Sequence, residues 1–521
     1  MKKIHLIPSV ILFISVILTL IPFFKPGLFY VHDPTSAFRL YTLIDTIKSG
    51  QFPAAWSNAL NFGFGYPLHL YYAPLFGYLG AVIFPFVQSY EIAVKIALFV
   101  ASIVGTFGVY NLLLKYGRYP ALLSAVAFTF LPYRASALYV RGSYSEFLAM
   151  SLFPWVIYFW NKDQLKIRTI LSTAIVTSLF VLSHNTLPLL VIPVILLMIG
   201  LFQMKYLKGS ALALLLTIGL TSWFILPIIF ERNFVQVDMV ARLTNFRDHF
   251  LFFSQLWHSP WGYGGSGRGI GEDHMSFMVG KGQLILALLG ACALIYKKKW
   301  KLLSLYGVII FISAFLSLDV SSFIWEKLHV LSIMQFPWRT LAVLGIGVSV
   351  LSGIGVILVP SKWQLPAVIV ASSLLIYTNL GYFSPQEYRT YSKEILSSSS
   401  NLDPLVRDKI PEYLPVWMSS FPGSRIDDGL SRTTTSVTGT YTITTTDRIT
   451  LSTAYMPQWR LTVDNMPVAT TYDLNGLVTT EGVYDAGDHQ IKLTWQRTWI
   501  ENIGISLTLG TIILVIGLLV L

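Results

Sequence analysis

The stretch YPLHLYYAPLFGYLGAVIFPFV, residues 66–87, decides the topology of this chain. It is apolar enough to cross a bilayer, yet it carries Pro67, Pro74 and Pro85 and is crowded with Tyr and Phe. If it crosses, Lys115, Arg118 and every later basic loop fall outside the cell. If it lies along or dips into the outer surface, they all fall inside. Those later loops hold Lys162, Lys166 and Arg168, then Lys205 and Lys208, then Lys297-Lys298-Lys299 with Lys301, and finally Lys362. Basic residues favour cytoplasmic loops, so a crossing breaks the rule at each of them, whereas the other reading requires one unusual segment. We therefore read 66–87 as re-entrant or interfacial, where prolines are tolerated and aromatic rings concentrate.

Working outward, the chain is 54% hydrophobic and only 12% charged, against about a quarter charged in soluble domains. Its clearest apolar blocks are 10–24, 98–114, 187–202, 211–230, 284–296, 302–318, 341–359, 367–380 and 503–521. None alternates apolar with polar residues, so they read as helices in lipid rather than barrel strands. The expected fold is an α-helical polytopic membrane protein of about twelve spans, with both termini cytoplasmic. Met1-Lys2-Lys3 and the apolar run behind it resemble a secretory signal. No small-residue cleavage site precedes Pro22-Phe23-Phe24-Lys25-Pro26, so an uncleaved first span is expected. The net charge of +11 sits in the short loops rather than in a patch, which argues against nucleic acid. The single cysteine, Cys292, excludes an intramolecular disulfide.

The external segments are then 25–91, 139–145, 184–185, 231–275, 319–337 and 383–498. Within the last, 397–400 and 404–422 read as linker and loop. Residues 433–495 are rich in Thr, Val, Ile and Tyr, with turns at Asp464-Asn465, Asn475-Gly476 and Ala486-Gly487. That pattern predicts a small extracytoplasmic β-sandwich suited to packing or polysaccharide contact. The chain divides into a transmembrane part (1–383), a β-rich part (384–498) and a last span (499–521), with no internal repeat.

The chemistry gathers in the external loops. Asp33 follows the first span and precedes an amphipathic helix over 35–49, stopped at Gly50, with Arg39, Asp45 and Lys48 off its apolar face. A carboxylate there either caps the helix with Thr35 or reaches a substrate whose tail stays in the membrane. Arg141-Gly142-Ser143-Tyr144-Ser145-Glu146 sets a cation and an acid at one span entrance, and Gln335-Phe336-Pro337-Trp338-Arg339 sets a cation at another. Each alone reads as an interface anchor; two arginines near one carboxylate would suit a phosphate headgroup. The run Trp261-Gly262-Tyr263-Gly264-Gly265-Ser266-Gly267 contains G-x-G-x-x-G but follows no strand and opens no helix, so it reads as a flexible loop beside a cavity. His184, His258 and His274 are scattered, and the sequence supports no metal site or cofactor.

Taken together, these motifs resemble the YfhO-like or 6-pyruvoyl-tetrahydropterin synthase-related membrane proteins. The resemblance rests on His32-Asp33, Gly50-x-x-Pro53-x-x-Trp56, Gly63-x-Gly65-Tyr66-Pro67, Arg141-Gly142 with Glu146, Trp261-Gly262-Tyr263-Gly264, Asp273-x-Met275 and Gln335 to Arg339. Tyr455-x-Pro457-x-Trp459 and Gly487-Asp488-His489 extend it into the β-rich part. It implies a GT-C-type glycosyltransferase of the plasma membrane that moves a sugar from a polyprenyl-phosphate donor to an envelope glycan or lipid. It also implies Asp33 as general base, Arg141 and Arg339 on the donor phosphate, and Glu146 orienting Arg141. His32 or His274 would hold the acceptor, with Tyr66 and Trp261 also lining the site. The rival readings are a transporter or flippase of lipid-linked glycans and a non-catalytic assembly protein.

Overall fold

A computed structural model describes residues 6–237, 244–409, 411–419 and 428–520. The Met1-Lys2-Lys3 start, part of segment 231–275 and the 420–422 end of the expected loop lie outside the described residues. The helices that position the site are α1 (Leu6–Thr19), α2 (Ser36–Lys48), α3 (Leu75–Val87), α4 (Tyr90–Leu113), α5 (Arg118–Thr129) and α6 (Tyr144–Trp160). After them come α7 (Ile167–Ser183), α8 (Leu187–Met198), α9 (Leu207–Phe230), α10 (Lys281–Tyr296), α11 (Trp300–Ser317), α12 (Leu341–Ile354), α13 (Ser361–Asn379) and α14 (Trp499–Val520).

Among the described residues, seven helical stretches are long and apolar enough to cross a membrane. That is fewer than the twelve spans expected. One stretch, Leu187–Phe230, has 44 residues, about 66 Å at 1.5 Å per residue and twice a bilayer core. Its helical winding changes at 199–206, between α8 and α9. By contrast α1, α7 and α10 stop at 14, 17 and 16 residues, below the roughly 20 needed to cross upright.

The 66–87 segment holds no helix long enough to cross upright. It forms a short turn of helix at Leu68–Tyr71 and then the 13-residue α3. Both ends of 25–91 lie at one end of the bundle: Lys95 Nζ donates to the Lys25 carbonyl at 2.5 Å, and Glu91 accepts from the Tyr391 amide. Beside them Leu28–Phe29 pairs with Tyr388–Arg389. The basic loops gather elsewhere. Lys301 Nζ reaches the Leu201 carbonyl at 3.0 Å, and Gln203 Nε2 reaches that of Lys162 at 2.9 Å.

The helix expected over 35–49 is α2, and Gly50 ends it at a φ of +88°. Asp45 and Lys48 are exposed as expected, but Arg39 turns inward with its side chain 12% exposed. The β-rich part forms two antiparallel sheets. One runs 431–432, 436–443, 487–495, 459–463, 466–468, and the other 450–454, 477–480, 470–472. Asp464 and Asn465 both have positive φ (52° and 65°), the geometry of a tight hairpin between 459–463 and 466–468.

Candidate active site

The first loop is fixed by backbone bonds before any side chain acts. The His32 and Asp33 amides donate to the Val140 and Arg141 carbonyls, both at 3.0 Å. Gly142 permits this approach: at φ +68°, a Cβ there would lie 2.8 Å from the Asp33 carbonyl oxygen. Asp33 Oδ1 accepts from the Thr35 amide at 3.2 Å and from the Thr35 hydroxyl. Because Thr35 precedes the first residue of α2, Asp33 closes a turn ahead of the helix rather than capping its first-turn amides. Its Oδ2 meets Arg39 Nη1 at 3.3 Å, and its side chain remains 36% exposed.

Arg39 extends this contact into a chain of polar groups. Its Nη1 donates to the Tyr72 hydroxyl at 2.6 Å, and its guanidinium lies 3.9 Å from that ring's centroid. The Tyr72 hydroxyl in turn bonds Ser145 Oγ at 3.2 Å. Ser145 neighbours Glu146, which is fully buried at the start of α6. Glu146 accepts Arg141 Nη1 and Nη2 at 2.9 and 2.7 Å and the Tyr133 hydroxyl at 2.7 Å. A forked pair of this kind fixes both side chains.

The third motif joins here. Trp338 lies under the Arg141 guanidinium, 4.4 Å from ring to cation. Arg339 Nε is 3.9 Å from Glu146 Oε2, beyond hydrogen-bonding range. Its Nη1 donates to the Met334 carbonyl and to Gln335 Oε1, at 2.8 and 3.1 Å. Among the described residues the buried Nε atoms of Arg339 and Arg39 have no hydrogen-bond partner. His184 is also close. Its Nδ1 accepts the Thr186 and Leu187 amides, so its proton sits on Nε2, and burial lowers its pKa to about 4.

Two residues that the sequence reading did not single out come from the far end of the chain. Glu412 lies where it interacts electrostatically with Arg39, Asp33 and Arg339; burial lifts its pKa to about 7 against the pull of both arginines. Tyr413 beside it donates its amide to the Tyr66 hydroxyl at 3.0 Å and stacks on Tyr71. Tyr66 itself is fully buried, so it holds this segment in place. His32 Nε2 donates to the Tyr263 carbonyl at 2.9 Å. Trp261 stacks on Tyr382 at 5.0 Å, and His274 is exposed. The glycine run, expected as a loop, is paired at one end. Tyr263 bridges Met275, and a Cβ on Gly262 would lie 2.3 Å from the His274 oxygen. Among the described residues no three His, Cys, Asp or Glu side chains are grouped as metal ligands.

A narrow cleft of about 30 Å³ opens beside this cluster between α2 and α3. Its walls change from apolar (Leu40, Leu43, Gly77) to polar (Arg39, Tyr72, Ser145).

Residues 69–385, well over half the chain, match the 6-pyruvoyl-tetrahydropterin synthase related domain, a membrane-protein domain. No curated protein matches the sequence. Among solved structures, the arabinofuranosyltransferase AftD from Mycobacteria is similar at a TM-score of 0.48 and 13% identity, covering 76% of this chain and 28% of that one. The archaeal oligosaccharyltransferase AglB from Archaeoglobus fulgidus, solved with an inhibitory peptide and a dolichol-phosphate, gives 0.42 and 11%, covering 75% and 57%. The chain thus spans under a third of the first and little over half of the second.

Proposed function

The chain belongs to the 6-pyruvoyl-tetrahydropterin synthase related family of membrane proteins, and on that premise we propose that it is a GT-C-type glycosyltransferase of the plasma membrane. The observation that carries this reading is a partly exposed aspartate, Asp33, paired with Arg39, a buried arginine with an unused Nε at the polar end of the cleft between α2 and α3. In this reading the donor phosphate is held by Arg39 and Arg339, and its polyprenyl chain stays in the membrane. The acceptor, an extracytoplasmic glycan or lipid hydroxyl, gives its proton to Asp33 as its oxygen attacks the anomeric carbon. The bond from that carbon to the phosphate oxygen breaks, and polyprenyl monophosphate leaves with its charge held by the guanidinium groups. Arg141, paired with Glu146, adds positive field and holds the Asp33 backbone. His32 fixes the first loop against the 263 turn. With the basic loops cytoplasmic, this cluster faces outward.

The test is the purified protein in vesicles with radiolabelled polyprenyl-phosphate pentose or hexose and an envelope-glycan acceptor. Wild-type protein should release polyprenyl phosphate, and the Asp33→Asn variant should release none while keeping its fold. Undiminished transfer by that variant would overturn the assignment.

A further inference from the structure

Residues 411–418 carry more than Glu412. The strand-like stretch lies against 234–236: Val235 bridges Pro415, the Gln236 amide donates to the Leu414 carbonyl at 2.9 Å, and the Val416 amide donates to that of Phe234 at 3.0 Å. Gln236 Nε2 ties it again at the Met418 carbonyl, 2.6 Å away. Four residues beyond Tyr413, at most about 14 Å of chain, stands Trp417. Its ring meets Tyr455 at 4.9 Å and 87°, Tyr472 at 6.2 Å and Phe234 at 5.9 Å. Tyr455 and Tyr472 are 5.6 Å apart.

Four aromatic rings gathered on one surface would normally be buried. Here none is: Tyr472 is 48% exposed, and Phe234, Trp417 and Tyr455 are half-buried. The rings meet one another at angles of 40° to 87°. The charges of Arg460 and Glu481, both exposed, act on Tyr455 from its rim. The Trp417 backbone packs closely on a tight turn, since a Cβ on Gly476 (φ +77°) would lie 2.5 Å from the Trp417 carbonyl oxygen.

Aromatic faces with polar groups at their edges match a pyranose or furanose ring, which presents C–H bonds on its faces and hydroxyls around its rim. A hydrocarbon interior would exclude the charged rim. We propose that Phe234, Trp417, Tyr455 and Tyr472 form a subsite that binds the acceptor glycan several sugars from the transferring end. The inference rests on the proposed glycosyl transfer and extends it: the acceptor is a chain rather than a single sugar. Along 411–418, one continuous segment then links the aromatic cluster to Glu412 beside Asp33.

The experiment measures binding of defined glucose, mannose and galactose hexasaccharides to the full-length protein in nanodiscs, by saturation-transfer NMR and tryptophan fluorescence. At least one should bind, and Tyr472→Ala should weaken it about tenfold or more. Tyr472→Phe, which keeps the ring and guards against misfolding, should retain most of the affinity. Asp33→Asn should bind as wild type does, so loss of transfer and loss of glycan binding are separately readable. Absence of binding by wild-type protein, equal binding by Tyr472→Ala, or a tryptophan-fluorescence response to phosphatidylglycerol nanodiscs in place of sugars would each overturn the proposal. Glycan binding here together with full transfer by Asp33→Asn would leave the subsite standing and remove the assigned base.

Discussion

Arg339 and Arg141 were legible as a pair of span-end cations, but they are not equivalent. Arg141 has both terminal nitrogens on Glu146 and a ring beneath it, whereas Arg339 keeps a buried Nε without a partner among the described residues. Arg339→Gln should therefore raise KM for the lipid-phosphate donor about tenfold or more with a smaller effect on kcat, read from initial rates. Arg339→Lys should recover part of that loss, because charge returns without the planar fork. Glu412 gives the site a pH dependence of known sign. Its pKa of about 7 leaves it neutral at pH 6 and negative at pH 8 beside Asp33, so donor affinity should fall as pH rises through 7. Glu412→Gln should abolish that inflection in a KM–pH profile. Asp33, Arg141 and Arg339 could be found in the sequence because each sits beside a helix terminus in a recognisable motif. Arg39 was placed off the apolar face because apolar periodicity ranks residues by hydropathy. A buried arginine paired with Asp33 and Tyr72 escapes that ranking. Glu412 lies in what reads as loop, and only chain closure over more than three hundred residues brings it to Asp33.

At the level of elements, the sidedness of charge in every later loop predicts that 66–87 does not span, and its helix α3 has 13 residues, below the roughly 20 a span needs. The pairing of the glycine run had no signal of its own, since glycine permits both mobility and close packing. The segment over 411–418 had no signal of its own; besides its pairing with 234–236, it is held by the Tyr66 hydroxyl under the Tyr413 amide. Tyr66→Phe would leave that amide buried and unsatisfied, at a local cost of about 1–3 kcal/mol. Hydrogen exchange should then show faster exchange in 411–418 and unchanged protection in the helices. Uniform loss of protection would mean that Tyr66 supports the whole bundle instead.

The molecule as a whole closes where the β-rich part, the first loop and the last span meet. Thr498 bonds Glu231, Gln458 Nε2 reaches Glu501 Oε1 at 3.0 Å, and Arg497 Nη2 reaches the Pro53 carbonyl at 2.7 Å. Burial raises Glu231 to about 7, and Glu501 adds to the shift. Between the ordinary glutamate range, about 4.3, and 7, the folded chain holds a proton that the unfolded chain has lost. This group's contribution to stability is therefore full at low pH and lost as pH rises through 7. Glu231→Gln should raise the thermal midpoint at pH 8 and change it little at pH 5. No sequence pattern announced this junction, because its members are separated by most of the chain.

The central claim is outward-facing sugar transfer dependent on Asp33, and envelope glycans report on it in the cell. Lipid-linked and envelope glycans should be profiled in a deletion strain carrying either the wild-type chain or Asp33→Asn at equal membrane levels. The expected result is a lipid-linked sugar that accumulates and a glycan that disappears on deletion, both restored by the wild-type chain and neither by Asp33→Asn. Restoration by Asp33→Asn, or glycans unchanged by the deletion, would contradict it.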